Sequence, residues 1–139
     1  MAALARDVAA QAPDGWFVAA AFRDRMNNGR KVAIETCLVP ATVEIAEQMM
    51  STTIDGQSLV EIFANAGCVP VAPPSCAACL GGPIDTFGRS KGKDVVISTT
   101  NRNFIGRMGS KESQIYLASP YTAAASALTG HITDPRDIA

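Results

Sequence analysis

Apolar positions fall along this chain in short blocks whose internal spacing changes from block to block. In the alanine-rich stretch 2–11, Leu4 and Val8 stand one helical turn apart, which predicts a helix. Residues 14–27 carry Trp16, Phe17, Ala20, Ala21 and Phe22, with Trp16 and Phe17 expected on the packed face of a second helix. The Asn-Asn-Gly that closes this block is a helix-stop signal. In KVAIETCLV, 31–39, the spacing turns strand-like, with Val32, Ile34 and Leu38 on one face and Pro40 at the end. TVEIAEQMM, 42–50, returns to helical spacing and places Met49 and Met50 in the core. SLVEIFANAG predicts a short helix capped by Ser58 and closed by Gly67. CVPVA, 68–72, predicts a short strand that runs into a loop rich in proline and glycine.

The second half repeats the alternation. DVVIS, 94–98, is an apolar strand and QIYLAS, 114–119, another. Between them TTNRNFIGRMGSKES is polar and too long for a simple turn. SPYTAAASALTG has Ser119 at the N-cap, Pro120 at the first helical position and Gly130 past the end, which predicts a helix. The tail HITDPRDIA is expected on the surface. Strands and helices alternating in this way predict an α/β fold with a mainly parallel sheet flanked by helices, three layers in all. In such sheets the binding crevice forms at the carboxyl ends of strands. The loops after 68–72 and after 94–98 both stand at such ends.

Composition narrows this picture. A chain of 139 residues is one domain with room for a core, and 47% apolar against 18% charged residues disfavours disorder. The net charge of −1 and the lack of a basic face argue against a nucleic-acid partner. No apolar run reaches the length of a membrane span. The start, MAALARDVAAQAPDG, does not have the pattern of a secretory signal, so a cytoplasmic, reducing location is expected.

The candidate chemistry lies in two loops. PSCAACLGG places Cys76 and Cys79 in a Cys-x-x-Cys, which fits a disulfide, a zinc half-site, a redox couple or two ligands of a cluster. Zinc wants four ligands, and Cys37, Cys68 and His131 make no second pair. A redox pair should open a long helix, which Leu-Gly-Gly-Pro opposes. On spacing alone zinc ranks ahead of iron–sulfur. Cys37 and Cys68 read as buried small hydrophobes, and His131 as a surface residue. The second loop, STTNRNFIGRMG, brings two arginines and two asparagines within seven residues. Arginine suits two-pronged carboxylate recognition, although a solvated polar turn is the commoner outcome for such a loop. Ser98, Thr99 and Thr100 are expected to satisfy backbone groups at the strand end, and Arg89, Lys91 and Lys93 to form a solvated basic turn.

Taken together, PSCAACLGG, STTNRNFIGRMGS and YLASPYTAAASALTGHITDPR resemble the third domain of the aconitase superfamily. The resemblance is to its 3-isopropylmalate dehydratase and homoaconitase large-subunit branch. It covers residues 28–139, with 1–27 a divergent helical part of the same single domain. It implies that Cys76 and Cys79 are two of three thiolate ligands of a 4Fe–4S cluster. It also implies that Asn101 lies near the cluster and that Arg102 and Arg107 hold substrate carboxylates. The implied activity is a hydro-lyase that isomerises a hydroxy di- or tricarboxylic acid by dehydration and rehydration, as in leucine biosynthesis. The implied partners are the remaining large-subunit domains and a small subunit whose swivelling domain supplies the base. The family's first cluster-cysteine motif, of the Gly-Ser-Cys-Thr-Asn-Gly-Arg type, has no counterpart here. The chain is therefore expected to be a fragment, a split subunit or a decayed copy, inactive alone. The alternative is a non-catalytic α/β module that has lost the cluster, or that binds zinc or a small carboxylate.

Overall fold

The computed structural model describes residues 32–138. The predicted helices 2–11 and 14–27, with Trp16 and Phe17, lie outside the described residues. From residue 43 onward the order is α1 (Val43–Ser51), β1 (Thr53–Ile54), β2 (Gln57–Ser58), α2 (Leu59–Ala66) and α3 (Ala77–Leu80), followed by β3 (Val95–Ser98), β4 (Gln114–Leu117) and α4 (Pro120–Thr129). A 3-10 turn, Pro135–Ile138, follows. The fold is α/β.

Local chemistry sets the helix ends. Thr42 caps α1 by accepting from the Ile45 N–H at 3.3 Å. Ser58 and Glu61 form a reciprocal capping box at α2: Ser58 Oγ accepts from the Glu61 N–H at 3.2 Å, and the Ser58 N–H donates to Glu61 Oε2 at 2.7 Å. Gly67 ends α2 at φ 90°, a left-handed cap that only glycine adopts without strain. At α4, Ser119 Oγ accepts from the Thr122 N–H at 3.2 Å, and the Gly130 N–H donates to the Ser126 carbonyl at 2.8 Å. Between α1 and α2 a hairpin pairs Thr53 with Ser58 and Ile54 with Gln57. Its turn is Asp55–Gly56, both at positive φ, the Asp-Gly chemistry of a tight hairpin.

The core is where α1, α2 and α4 meet. Met49, Leu59, Ile62, Phe63, Ala66, Cys68, Ala124, Ala127 and Leu128 form one buried cluster. Met50, expected in the core, is 61% exposed, because α1 presents a single side to α2. The tail is anchored rather than loose. Thr133 is buried, and its N–H donates to Ser126 Oγ at 3.1 Å.

β3 and β4 pair in parallel, with Val95 opposite Gln114 and Ser98 opposite Leu117. Their connection, 99–113, is the polar loop. The expected strands, 31–39 as far as it is described (32–39) and 68–72, form no ladder. The N–H groups of Val69, Ala72 and Ser75 donate to the carbonyls of Thr36, Leu38 and Pro40 at 2.9–3.0 Å. Pro70, Pro73 and Pro74 have no N–H to give, so the regular alternation of bonds fails.

Candidate functional site: the meeting of the cysteine and arginine loops

The extended run 69–75 delivers the chain to α3, a single helical turn that places Cys79 near its end. The Leu80 N–H donates to the Cys76 carbonyl at 3.0 Å, which closes this turn. Gly81 and Gly82 then end it, Gly81 at φ 63°. A side chain cannot stand at Gly81: a Cβ there would lie 2.4 Å from the Arg107 carbonyl oxygen and 2.6 Å from the Gly109 nitrogen. The two candidate loops are thus in backbone contact.

The arginine loop leaves the end of β3. Ser98 Oγ accepts from the Thr100 N–H at 3.2 Å, so Ser98 satisfies a backbone group as expected. Asn103 Nδ2 crosses back to the Ile115 carbonyl at 2.7 Å and ties the loop to β4. A turn follows, with the Arg107 N–H donating to the Phe104 carbonyl at 3.0 Å. The Arg107 guanidinium lies 5.5 Å from the Phe104 ring centroid, within cation–π range. Its Nη2 donates to Cys79 Sγ at 3.2 Å. Its Nε is buried with no acceptor. An unmet buried donor on a cation beside a thiol suits an anionic group held at that thiol.

The sequence-derived site residues divide accordingly. Cys79 and Arg107 are in direct contact. Cys76 is exposed one turn away, and Asn101 and Arg102 are exposed at the loop's start. His131 is exposed, as expected. Cys68 is buried, and burial raises its thiol from 9.0 to about 11. Cys37 is half-buried; burial raises its thiol, and so does Glu35, whose carboxylate Cys37 Sγ meets at 3.6 Å. An open cavity of about 990 Å³ reaches from Cys79 to the extended run and β3, with Ile34, Leu38, Val69, Val96 and Ile97 on its walls. Among the described residues no group of three or more His, Cys, Asp or Glu converges as a metal site. Cys76 and Cys79 share one loop, and among the described residues no third Cys, His, Asp or Glu gathers with them.

Arg89 was expected in a solvated turn and is not. Its Nη1 donates to the Gly81 carbonyl at 2.6 Å and also to that of Gly82. A single arginine flanked by glycine and serine gives no sequence signal for this reach. Lys91 and Lys93 of the same turn are exposed, as expected.

Comparison with known proteins places the chain in a family. The family model for the Aconitase family (aconitate hydratase) matches residues 8–130. The chain is 56% identical over 112 residues to the chloroplastic 3-isopropylmalate dehydratase large subunit of Arabidopsis thaliana, covering 78% of this chain and 22% of that protein. It is 47% identical over 107 residues to the 3-isopropylmalate dehydratase large subunit of Pyrococcus horikoshii, covering 77% and 26%. Against the same subunit of Nitratidesulfovibrio vulgaris it is 50% identical over 109 residues, covering 77% and 24%. The chain spans about a quarter of the length of these relatives. With the family model matched over residues 8–130, most of its length, this chain belongs to the aconitase family.

Proposed function

We propose that this chain contributes part of the cluster site and the carboxylate-binding loop of a hydro-lyase of the 3-isopropylmalate dehydratase type. The observation that carries the reading is the 3.2 Å contact between Arg107 Nη2 and Cys79 Sγ, which joins the two motifs. In this reading Cys76 and Cys79 hold two corners of a 4Fe–4S cluster. When bound, the cluster supplies an open iron, a Lewis acid for the hydroxyl and one carboxylate of the substrate. Arg107 keeps a fixed positive charge beside Cys79, where thiolate ligation concentrates negative charge. Arg102 and Arg107 bind the substrate's other carboxylates, with Asn101 orienting the group between them and the cysteines. These donors hold the extra negative charge that develops when a proton is removed next to a carboxylate. A base from a swivelling domain of a small subunit takes that proton. Water then leaves and re-adds at the neighbouring carbon.

The substrate in this proposal is a hydroxy dicarboxylic acid of the kind named in the relatives, and the partners are a small subunit and the rest of a large subunit. The cytoplasmic location expected from the sequence belongs to the same proposal; the Arabidopsis relative is named chloroplastic. No helix among the described residues is long and apolar enough to cross a membrane. A second reading, a family member without cluster or turnover, is favoured by the ligand count. The chain has four cysteines, and only Cys76 and Cys79 share a loop. Anaerobic reconstitution with iron and sulfide, with and without a small subunit, separates the two. Visible iron–thiolate absorbance, stoichiometric iron and sulfide, and hydration activity in the assembled sample support the first. Their absence in every combination supports the second.

A further inference from the structure

We infer that Arg89 is a positioning residue that clips the cysteine loop onto the arginine loop and so sets the distance between Cys79 and Arg107. Two sets of contacts carry this. On one side, Arg89 Nη1 donates to the carbonyls of both Gly81 and Gly82, directly after the second cysteine. On the other, its neighbour Ser90 is 3% exposed and welded to the arginine loop. The Ser90 N–H donates to the Met108 carbonyl at 2.8 Å, and the Ser110 N–H donates to the Ser90 carbonyl at 3.2 Å. Ser90 Oγ adds a bond to the Met108 carbonyl at 3.0 Å and accepts from the Ser110 N–H at 3.2 Å. The Arg89 side chain crosses directly over Gly109, where a Cβ would stand 2.6 Å from Arg89 Cγ. One residue thus has its backbone fixed to the loop that carries Arg107 and its guanidinium fixed to the loop that carries Cys79. The guanidinium fork can serve two carbonyls at once, which a lysine ammonium does less rigidly. The clip stands on geometry alone; its relevance to a cluster rests on the proposed function.

The test uses the full 139-residue chain, reduced, without metal. Arg89→Ala and Arg89→Lys are compared with the unaltered protein by residue-resolved iodoacetamide alkylation of Cys79, Cys76 and Cys68, and by amide exchange over 76–82. In Arg89→Ala, Cys79 alkylation and exchange at 76–82 are expected to rise about tenfold, as for a loop that loses charge-assisted bonds. Cys68 alkylation stays at its original rate, and Arg89→Lys recovers part of the protection. Unchanged Cys79 alkylation and exchange in Arg89→Ala overturn the inference. So does a parallel rise at Cys68, which marks general loosening instead of a clip. If Arg89→Ala does not fold, Arg89→Gln carries the same readouts with the same two overturning results. Iron and sulfide uptake in the assembled sample is measured separately. Failure of the unaltered protein to load sinks the cluster proposal, whereas the alkylation result decides the clip.

Discussion

Arg107 concentrates the chemistry of this site in one side chain. It donates to Cys79 Sγ, stacks near Phe104 and keeps a buried Nε–H unmet. Changing Arg107 to Lys turns a planar multi-donor group into a point charge. In an assembled enzyme this is expected to cost about 2–4 kcal/mol of transition-state stabilisation, read as a fall in kcat/KM. Kinetics within twofold of normal would assign Arg107 a structural role. Gly81 tests the loop contact from the other side. Gly81→Ala drives a Cβ into the backbone of 107–109 at a left-handed φ, so stability should fall by about 1–3 kcal/mol in denaturant unfolding. An unchanged midpoint would mean that the loops are not in contact. Cys68 gives a pH dependence. Its folded-state thiol titrates at about 11 against 9.0 when free, because burial penalises the thiolate. The folded state therefore holds a proton that the unfolded state releases between these values. The contribution is fully present below pH 9 and is lost as pH rises through 11. Cys68→Ala should flatten the stability curve in that window, measured by urea unfolding from pH 8 to 11. A slope identical to the unaltered chain would show that other groups carry it.

At the scale of elements, what could be read from the sequence was what nearest neighbours decide. The helices at 59–66 and 120–129 announce themselves because each has a capping serine, an apolar face and a glycine stop within a dozen positions, whereas 43–51 shows in its helical spacing alone. Ser58 illustrates the strength of that signal. Ser58→Ala removes the Oγ that accepts from the Glu61 N–H and donates to Glu61 Oε2, leaves the backbone half of the capping box in place, and should destabilise the chain by about 1 kcal/mol in thermal or denaturant unfolding; Glu61→Ala removes the other half. Equal stability of Ser58→Ala and the unaltered chain would mean that α2 is held by packing alone. The strands at 95–98 and 114–117 were legible from apolar runs, and a parallel sense from the alternation of strands and helices. The stretches 31–39 and 68–72 show the limit. Each has the apolar content of a strand, but a ladder needs donors from its neighbour, and three prolines between 70 and 74 withhold them. The Thr53–Ser58 hairpin was passed over although Asp55–Gly56 is a recognised turn pair, because strands of two residues leave no periodicity to detect. The site residues Cys76, Cys79 and Arg107 were legible as motifs. That Cys79 and Arg107 touch, and that Arg89 holds the loops together, depends on contacts between segments distant in sequence.

For the whole molecule, the decisive quantity is how many thiolates can reach one point. All four cysteines fall within the described residues, and Cys76 and Cys79 alone stand on the loop at Arg107. A cluster with one open iron needs three protein ligands, each as a thiolate. Cys68 opposes that role because it is part of the apolar core and its thiol is pushed up to about 11. Cys37 opposes it because burial and the neighbouring Glu35 both disfavour its thiolate. Drawing either one to the loop would also break the bonds between the extended runs 36–40 and 69–75. The site is open as well: Leu80, Ile84, Phe104 and Ile105 around it are all more than half exposed, a wet setting in which iron–sulfur centres are readily oxidised. The core of α1, α2 and α4 involves none of these loop residues, so folding should not depend on iron. The expected outcome for the purified chain alone is a folded protein with iron and sulfide well below one cluster per chain and no hydration of an unsaturated dicarboxylic acid. Circular dichroism with and without iron should coincide. Adding a protein that supplies a third thiolate and covers the loops should raise iron content and bring turnover. A full cluster complement and turnover by the chain alone would overturn this account and identify Cys37 or Cys68 as a ligand. Alanine variants of those two cysteines would then show which one, through loss of the visible iron–thiolate bands.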